Sequence, residues 1–149
     1  MRATYSVVAQ AQTVATAITI LQIQAPGAAA VEILRAWCQQ SSSTTSAMAR
    51  IEILRKTVGI TGTAGPPTPQ PTEVGAAAAG SVIAWRATAE GTDGVILYEE
   101  AFNILNGWVY LPVPEERFAI GPANMLALKF PAAPPSASYT FGMVFRELG

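Results

Sequence analysis

The sequence predicts one all-β domain over residues 1–149, folded as an antiparallel β-sandwich. Three observations carry this. Segments of five to ten residues alternate apolar and polar side chains and are rich in Val, Ile, Thr and aromatics, the period-2 pattern of half-buried strands. Turn formers separate these segments, with 11 Pro and 12 Gly in 149 residues. No segment sustains the 3.6-residue period of an amphipathic helix. A chain of this length buries roughly 70% of its unfolded surface, so its core needs neither a disulfide nor a metal.

Residues 1–10 read as an N-terminal arm or a short strand, with Tyr5 to Ala9 as its extended part. Thr13 to Ala25 reads as a strand with Ile18 and Ile20 on one face and Leu21 and Ile23 on the other; Pro26-Gly27 ends it. In Ala29 to Cys38, alternation places Val31, Ile33 and Trp37 on one side and Glu32 opposite. A polar Ser/Thr loop follows. Ala47 to Val58 sets Ala49, Ile51 and Ile53 against Arg50, Glu52 and Lys56, which predicts a strand with one wet face.

Residues 59–80 form an extended Pro/Gly-rich loop. Pro66, Pro67, Pro69 and Pro71 fall within six positions, which favours extended backbone and forbids helix. A loop this long inside a compact domain calls for a role. It packs on a neighbouring subunit or runs as a plain surface loop.

Strands resume at Ser81 to Thr88, containing Trp85. Val95 to Leu105, Asn106-Gly107 and Trp108 to Leu111 read as a hairpin, because Asn-Gly supplies the two positive-φ residues of a type I′ turn. That register puts Phe102, Ile104, Val109 and Leu111 on one face. Asn103, Leu105, Trp108 and Tyr110 fall on the other, outward face. Pro112 and Pro114 stop the strand. Asn124 to Phe130 is a short strand, and Ser138 to Leu148 is the last. Its Tyr139, Phe141, Met143 and Phe145 line one face, so apolar a set that the strand is expected at the centre of its sheet. Eight or nine strands with turn-rich connections indicate a sandwich or jelly roll.

Composition narrows function. Charged residues make up 13% of the chain and the net charge is −1. The usual charged fraction is about 25%, so much of the surface is expected to be covered by other copies rather than by water. The alternative is a monomer coated in Ser, Thr and Gln. No run of Lys or Arg marks a nucleic-acid footprint. No apolar stretch is long enough to span a membrane, and Thr4, Ser6 and Gln10 interrupt any signal-peptide core.

Histidine is absent, which removes the commonest general base and metal ligand. Glu99 and Glu100, adjacent on a strand, point to opposite faces and cannot cooperate as an acid/base pair. Glu115 and Glu116 sit in a loop. Asp93, the only aspartate, lies in a Gly-Thr-Asp-Gly turn without the further oxygen ligands a calcium loop needs. Cys38, the only cysteine, reads as a buried inert thiol. No catalytic, cofactor-binding or metal-binding set emerges. Trp37, Trp85, Trp108, Tyr98 and Tyr110 serve either as core and interface aromatics or as a stacking surface for sugars.

The order of these elements resembles a family of small phage-encoded virion proteins, the capsid decoration (cement) proteins of tailed phages. The matching elements begin with Thr13 to Ala25, Pro26-Gly27, Val31-Glu32-Ile33-Leu34 and the Ser/Thr loop. Ala49 to Lys56, the Pro-rich stretch and the Trp85 strand follow. The match closes with Trp108-Val109-Tyr110-Leu111-Pro112, Pro114-Glu115, Gly121-Pro122, Leu126-Ala127-Leu128-Lys129, a Pro-rich turn and the final strand. The likeness is one of layout and transfers no functional residue.

The resemblance implies a jelly-roll-like antiparallel β-sandwich that forms homo-trimers on the outer capsid surface of a virion assembled in the host cytoplasm. It would bridge copies of the major capsid protein and stabilise the shell, with no cofactor. On that reading Met1, Arg2 and Tyr5 of the arm, Pro66, Pro67 and Pro69 of the loop, and Trp108 and Tyr110 of the hairpin are the expected subunit or capsid contacts. A carbohydrate- or receptor-binding module of a tail fibre, using Trp108 and Tyr110, is the alternative.

Overall fold

A computed structural model describes residues 3–42 and 45–149. Among them are eleven strands: β1 Thr4–Val14, β2 Thr19–Gln24, β3 Ala30–Gln40, β4 Met48–Val58, β5 Gln70–Pro71, β6 Val82–Trp85, β7 Thr92–Asn103, β8 Trp108–Tyr110, β9 Ala119–Ile120, β10 Met125–Lys129 and β11 Ala137–Leu148. One 3-10 turn spans Pro114–Glu116. The strands form two antiparallel sheets. The first runs β5-β1-β11-β3-β8, with β9 also on β3; the second runs β6-β2-β10-β4-β7.

The pairings nest. β1 pairs with β11, β2 with β10, β3 with β8 and β4 with β7. The chain is therefore one long hairpin whose arms run β1-β2-β3-β4 out and β7-β8-β10-β11 back. Successive strands of each arm alternate between sheets. This winding is the jelly roll, an antiparallel β-sandwich. Eight strands are its frame, where eight or nine were expected, and the short β5, β6 and β9 bring the number to eleven.

The reason the arms roll up is the apolar content of their inward positions. Tyr139, Phe141, Met143 and Phe145 of β11 are all fully buried. They meet Val7 and Ala9 of β1, Ile33, Ala36 and Cys38 of β3, and Leu21, Ile23, Ile51, Ile53, Leu126 and Leu128 of the opposite sheet. β11 lies between β1 and β3, the central place its composition predicted.

Of the arm and the short strand expected over residues 1–10, the strand is found, over residues 4–14; Tyr5 is only 3% exposed, its ring stacked on Phe145. A bulge after Ala9 places two residues opposite Thr140, and Ala11 takes φ 50° there. The expected strand Thr13 to Ala25 breaks in two, because the chain crosses from one sheet to the other between Val14 and Thr19.

Asn106-Gly107 does not make a hairpin. β7 belongs to one sheet and β8 to the other, so the turn is a crossover. Only Gly107 has positive φ, whereas a type I′ turn needs two such residues. Instead Asn103 organises the corner. Its carbonyl accepts from the backbone N–H of Asn106 and Gly107, and its side chain accepts from the Leu105 N–H.

The 59–80 segment is neither a free loop nor unstructured. Thr63 and Trp85 exchange bonds, Thr63 N–H to the Trp85 carbonyl (2.9 Å) and Trp85 Nε1 to the Thr63 carbonyl (3.0 Å). Further on, Gln70 and Pro71 pair with Ser6 and Tyr5, and the Tyr5 hydroxyl donates to the Ala77 carbonyl. The segment thus straps the edge of the second sheet to the edge of the first. Proline suits it, since β5 is an edge strand where a missing N–H costs little.

Candidate interaction surface

With the sandwich closed, each sheet keeps one outward face, and the two faces differ in chemistry. On the first sheet, register aligns Val8, Gly142, Trp37 and Val109 in one row across β1, β11, β3 and β8. The row on one side holds Ser6, Val144 and Arg35; the row on the other holds Thr140 and Gln39. Val8 is 39% exposed, Val109 54%, and Leu111 just beyond β8 is 71% exposed. Arg35 is the sole charge in these rows, and its guanidinium lies 5.0 Å from the centre of the Trp37 ring. Gly142 has a packing reason. A Cβ there would stand 2.3 Å from the Val7 carbonyl oxygen and 2.6 Å from the Trp37 ring, so the indole lies over the glycine.

Trp37 reaches this face because of one extra residue. Leu34 falls in a bulge opposite the Val144–Phe145 step. Val31 and Ile33 face inward before it, Ala36 and Cys38 after it, and Trp37 turns outward. Simple alternation had put Trp37 with Val31 and Ile33. Cys38 is buried as expected, and burial pushes its thiol up to about 12.

The second sheet's outward face carries exposed Met48, Val82 and Ile96 and also gathers charge. Lys56, its side chain wholly buried, donates to Asp93 Oδ1 (2.5 Å), Glu90 Oε2 (3.2 Å) and the Glu90 carbonyl (2.8 Å). Lys129 pairs with Asp93 Oδ2 at 2.5 Å. Glu90 also accepts from the Thr19 N–H and hydroxyl at 2.7 and 2.6 Å. Arg50 pairs with Glu99 at the far end. Burial alone would raise Glu90 and Asp93, but Thr19, Lys56 and Lys129 hold both below the usual carboxylate range. Glu52 goes the other way, raised by burial and by the neighbouring Glu99.

The wet face expected of β4 is therefore wet only in part. Arg50 is exposed, whereas Glu52 and Lys56 are 5% and 4% exposed, and Lys56 is covered by Glu90 and Asp93. Asp93 is not a bare turn residue but the bridge between two lysines. Gly91 permits that turn, with φ 66° and a hypothetical Cβ only 2.3 Å from the Val58 carbonyl oxygen.

The residues expected to make contacts are distributed as follows. Met1 and Arg2 lie outside the described residues. Tyr5 is buried and unavailable to a partner. Pro66 is exposed, Pro67 and Pro69 are half-buried, and all three lie on the strap that reaches the β1 edge. Trp108 and Tyr110 are turned inward, 3% and 8% exposed, while Val109 points out. They belong to an aromatic ladder with Tyr98 and Phe118; Tyr110 stacks on Phe118 at 5.2 Å. Trp108 Nε1 donates to Glu100 (3.2 Å), which also accepts from the Tyr98 hydroxyl. No outward stacking platform exists at these two residues.

Glu99 and Glu100 do separate, one to Arg50 and one to Trp108. An open cleft of about 560 Å³ between the end of β4 and the 119–125 turn holds Arg55, Thr57 and Asn124, with Lys56 already committed to its carboxylates. No family model, curated protein or solved structure matches this chain.

Proposed function

We propose that this chain is a non-enzymatic structural protein of a virion, a decoration subunit that assembles as a homo-oligomer on the outer capsid surface and ties copies of the major capsid protein together. The layout of its elements resembles that family, and a trimer is the form the resemblance implies. The observation that carries the reading is the neutral, partly apolar outward face centred on the Val8–Gly142–Trp37–Val109 row. Antiparallel sheets with a solvated face normally show polar residues there, and contiguous exposed apolar surface marks a contact site.

Two further features support a mechanical role. Nested pairing joins the first and last strands directly, from Thr4 opposite Arg146 to Val14 opposite Ala137. The strap and the Ser81–Glu147 contacts, 2.8 and 2.6 Å, tie the sheets together at one side. Individual contacts to a lattice are modest, and repetition makes them strong through avidity.

The test is twofold. The purified chain should sediment as an oligomer, and it should bind mature capsids saturably at a fixed ratio to the major capsid protein. A monodisperse monomer that ignores capsids refutes the proposal. The tail-fibre alternative loses its motivating feature, since Trp108 and Tyr110 face the core.

A further inference from the structure

We infer that two copies of this chain join through the free edge of β7, antiparallel and across a two-fold axis at Ala101, so that the second sheet continues from one copy into the other. The pairing stands on backbone hydrogen bonding and does not depend on the decoration role.

A sheet edge is a row of unpaired N–H and C=O groups that another strand can fill, and proteins blunt such edges with proline, bulges, short strands or a covering segment. Three of the four edges here are blunted. β5 has two residues and ends in Pro71. β8 and β9 have three and two, and Pro112 and Pro114 lie between them. β6 lies under the strap, where the Thr63 N–H takes the Trp85 carbonyl and a Cβ on Gly62 would stand 2.8 Å from the same oxygen. β7 differs. It has 12 residues without proline or lysine, and among the described residues it pairs with β4 alone. Bulges interrupt its 92–97 end, but register with β4 is unbroken from Tyr98 opposite Ile53 to Asn103 opposite Met48.

Which groups are open follows from one bond. The Ile104 N–H donates to the Ala47 carbonyl. Bonded and non-bonded pairs alternate along an antiparallel ladder, so Phe102, Glu100 and Tyr98 spend their main-chain groups on β4. Glu99 and Ala101 aim theirs outward, and both residues are exposed.

The occupant follows from the side chains beside this edge. Domains that capture a foreign strand gain specificity from side-chain pockets along it. Here that wall is filled: Tyr98 packs on Trp108 and Tyr110, and Tyr110 on Phe118. A second copy needs no pocket, and β7 fits itself best in one register. An axis at Glu99 or Glu100 sets that glutamate against its own mate, which is destabilising. An axis at Phe102 runs off the end of the strand. An axis at Ala101 sets alanine against alanine, Glu99 against Asn103 and Glu100 against Phe102. Arg50 already neutralises Glu99, and the Trp108 indole N–H holds Glu100. The contact uses the same edge on both copies, so the pair closes and does not grow into a filament. It makes a dimer, where the resemblance implies a trimer.

Ala101→Pro tests this directly. It removes the outward N–H without touching a bond to β4, a change that edge strands tolerate; Ala101→Ser keeps the N–H. Sedimentation equilibrium reads the dissociation constant, and circular dichroism checks the fold. Proline is expected to weaken association at least about tenfold, and serine to leave it within about twofold. Hydrogen exchange on the wild-type chain covers the case of poor folding. The Ala101 amide should exchange slowly in the oligomer and quickly on dilution, while the Glu100 and Phe102 amides stay protected in both. An oligomer that proline leaves intact, a trimer, or an Ala101 amide that exchanges quickly at every concentration overturns this pairing and leaves the decoration reading standing. A monomeric wild-type chain overturns both.

Discussion

Gly91→Ala isolates the corner that seats the 86–94 turn on the second sheet. Gly91 has φ 66°, and a Cβ there would stand 2.3 Å from the Val58 carbonyl oxygen, 2.4 Å from that of Gly59 and 2.8 Å from the Gly59 carbonyl carbon. Alanine in the left-handed region costs ~1–2 kcal/mol. The clash adds more, because every opposing atom is backbone and no rotamer relieves it; overpacking of this kind costs ~1–3 kcal/mol. Moving the turn away stretches the Lys56 bond to the Glu90 carbonyl, 2.8 Å, and the Thr19 clamp on Glu90. We expect a loss of about 3 kcal/mol, or a fall in Tm of about 6–12 °C for a chain this size. Urea unfolding followed by tryptophan fluorescence, at one fixed subunit concentration, measures it. A loss below about 1 kcal/mol with unchanged m-value would show that the turn is not held against β4 as described.

Three other outcomes follow from the same structure. Glu90 and Asp93 have lowered folded-state pKa values, so their stabilisation is complete above the ordinary carboxylate range and is lost as pH falls through the depressed values. Unfolding midpoints should drop steeply below about pH 4, and Lys56→Met should flatten that acid limb. Glu52 is raised and opposes the trend, gaining its proton first in the folded chain on descent from neutrality and adding stability there. Gly121-Pro122-Ala123-Asn124 closes a turn with an Asn124 N–H to Gly121 carbonyl bond of 3.1 Å and Ala123 at φ 61°. Proline second and positive φ third is the type II arrangement that prefers glycine. Ala123→Gly should therefore raise the unfolding free energy by about 0.5 kcal/mol after glycine's own entropy cost, read as a higher urea midpoint. Phe141→Ala, at a fully buried site on the central strand, should cost about 3–5 kcal/mol in the same assay.

How far the sequence could be read depended on whether a residue's place was set locally. β11 was legible because four large apolar residues at period 2 leave one choice of face, and burial on both flanks follows from that composition. Cys38 was legible for a similar reason. Trp37 was not: the bulge at Leu34 inserts one residue, and one residue reverses every face after it. No side chain in Ala30–Gln40 announces it. Trp108 and Tyr110 were misplaced because Asn-Gly strongly favours a two-residue hairpin, yet tertiary pairing of β7 with β4 and of β8 with β3 overrode it. Apolar residues at 102, 104, 109 and 111 fit the hairpin as well as aromatic residues at 108 and 110 fit the crossover, so alternation alone did not decide. The burial of Lys56 was invisible because its partners, Glu90 and Asp93, sit 34 and 37 residues away. The strap was readable as extended backbone from its prolines, but its docking on β1 and Trp85 depends on which strands become edges.

Cryo-electron microscopy of the particle that carries this chain bears on the account most directly. We predict two-layered β density at regularly repeated positions outside the shell, in clusters where the Val8–Gly142–Trp37–Val109 face is covered. Density confined to the tail, none on the shell, or solitary subunits with Val8, Trp37 and Val109 open to water would contradict it.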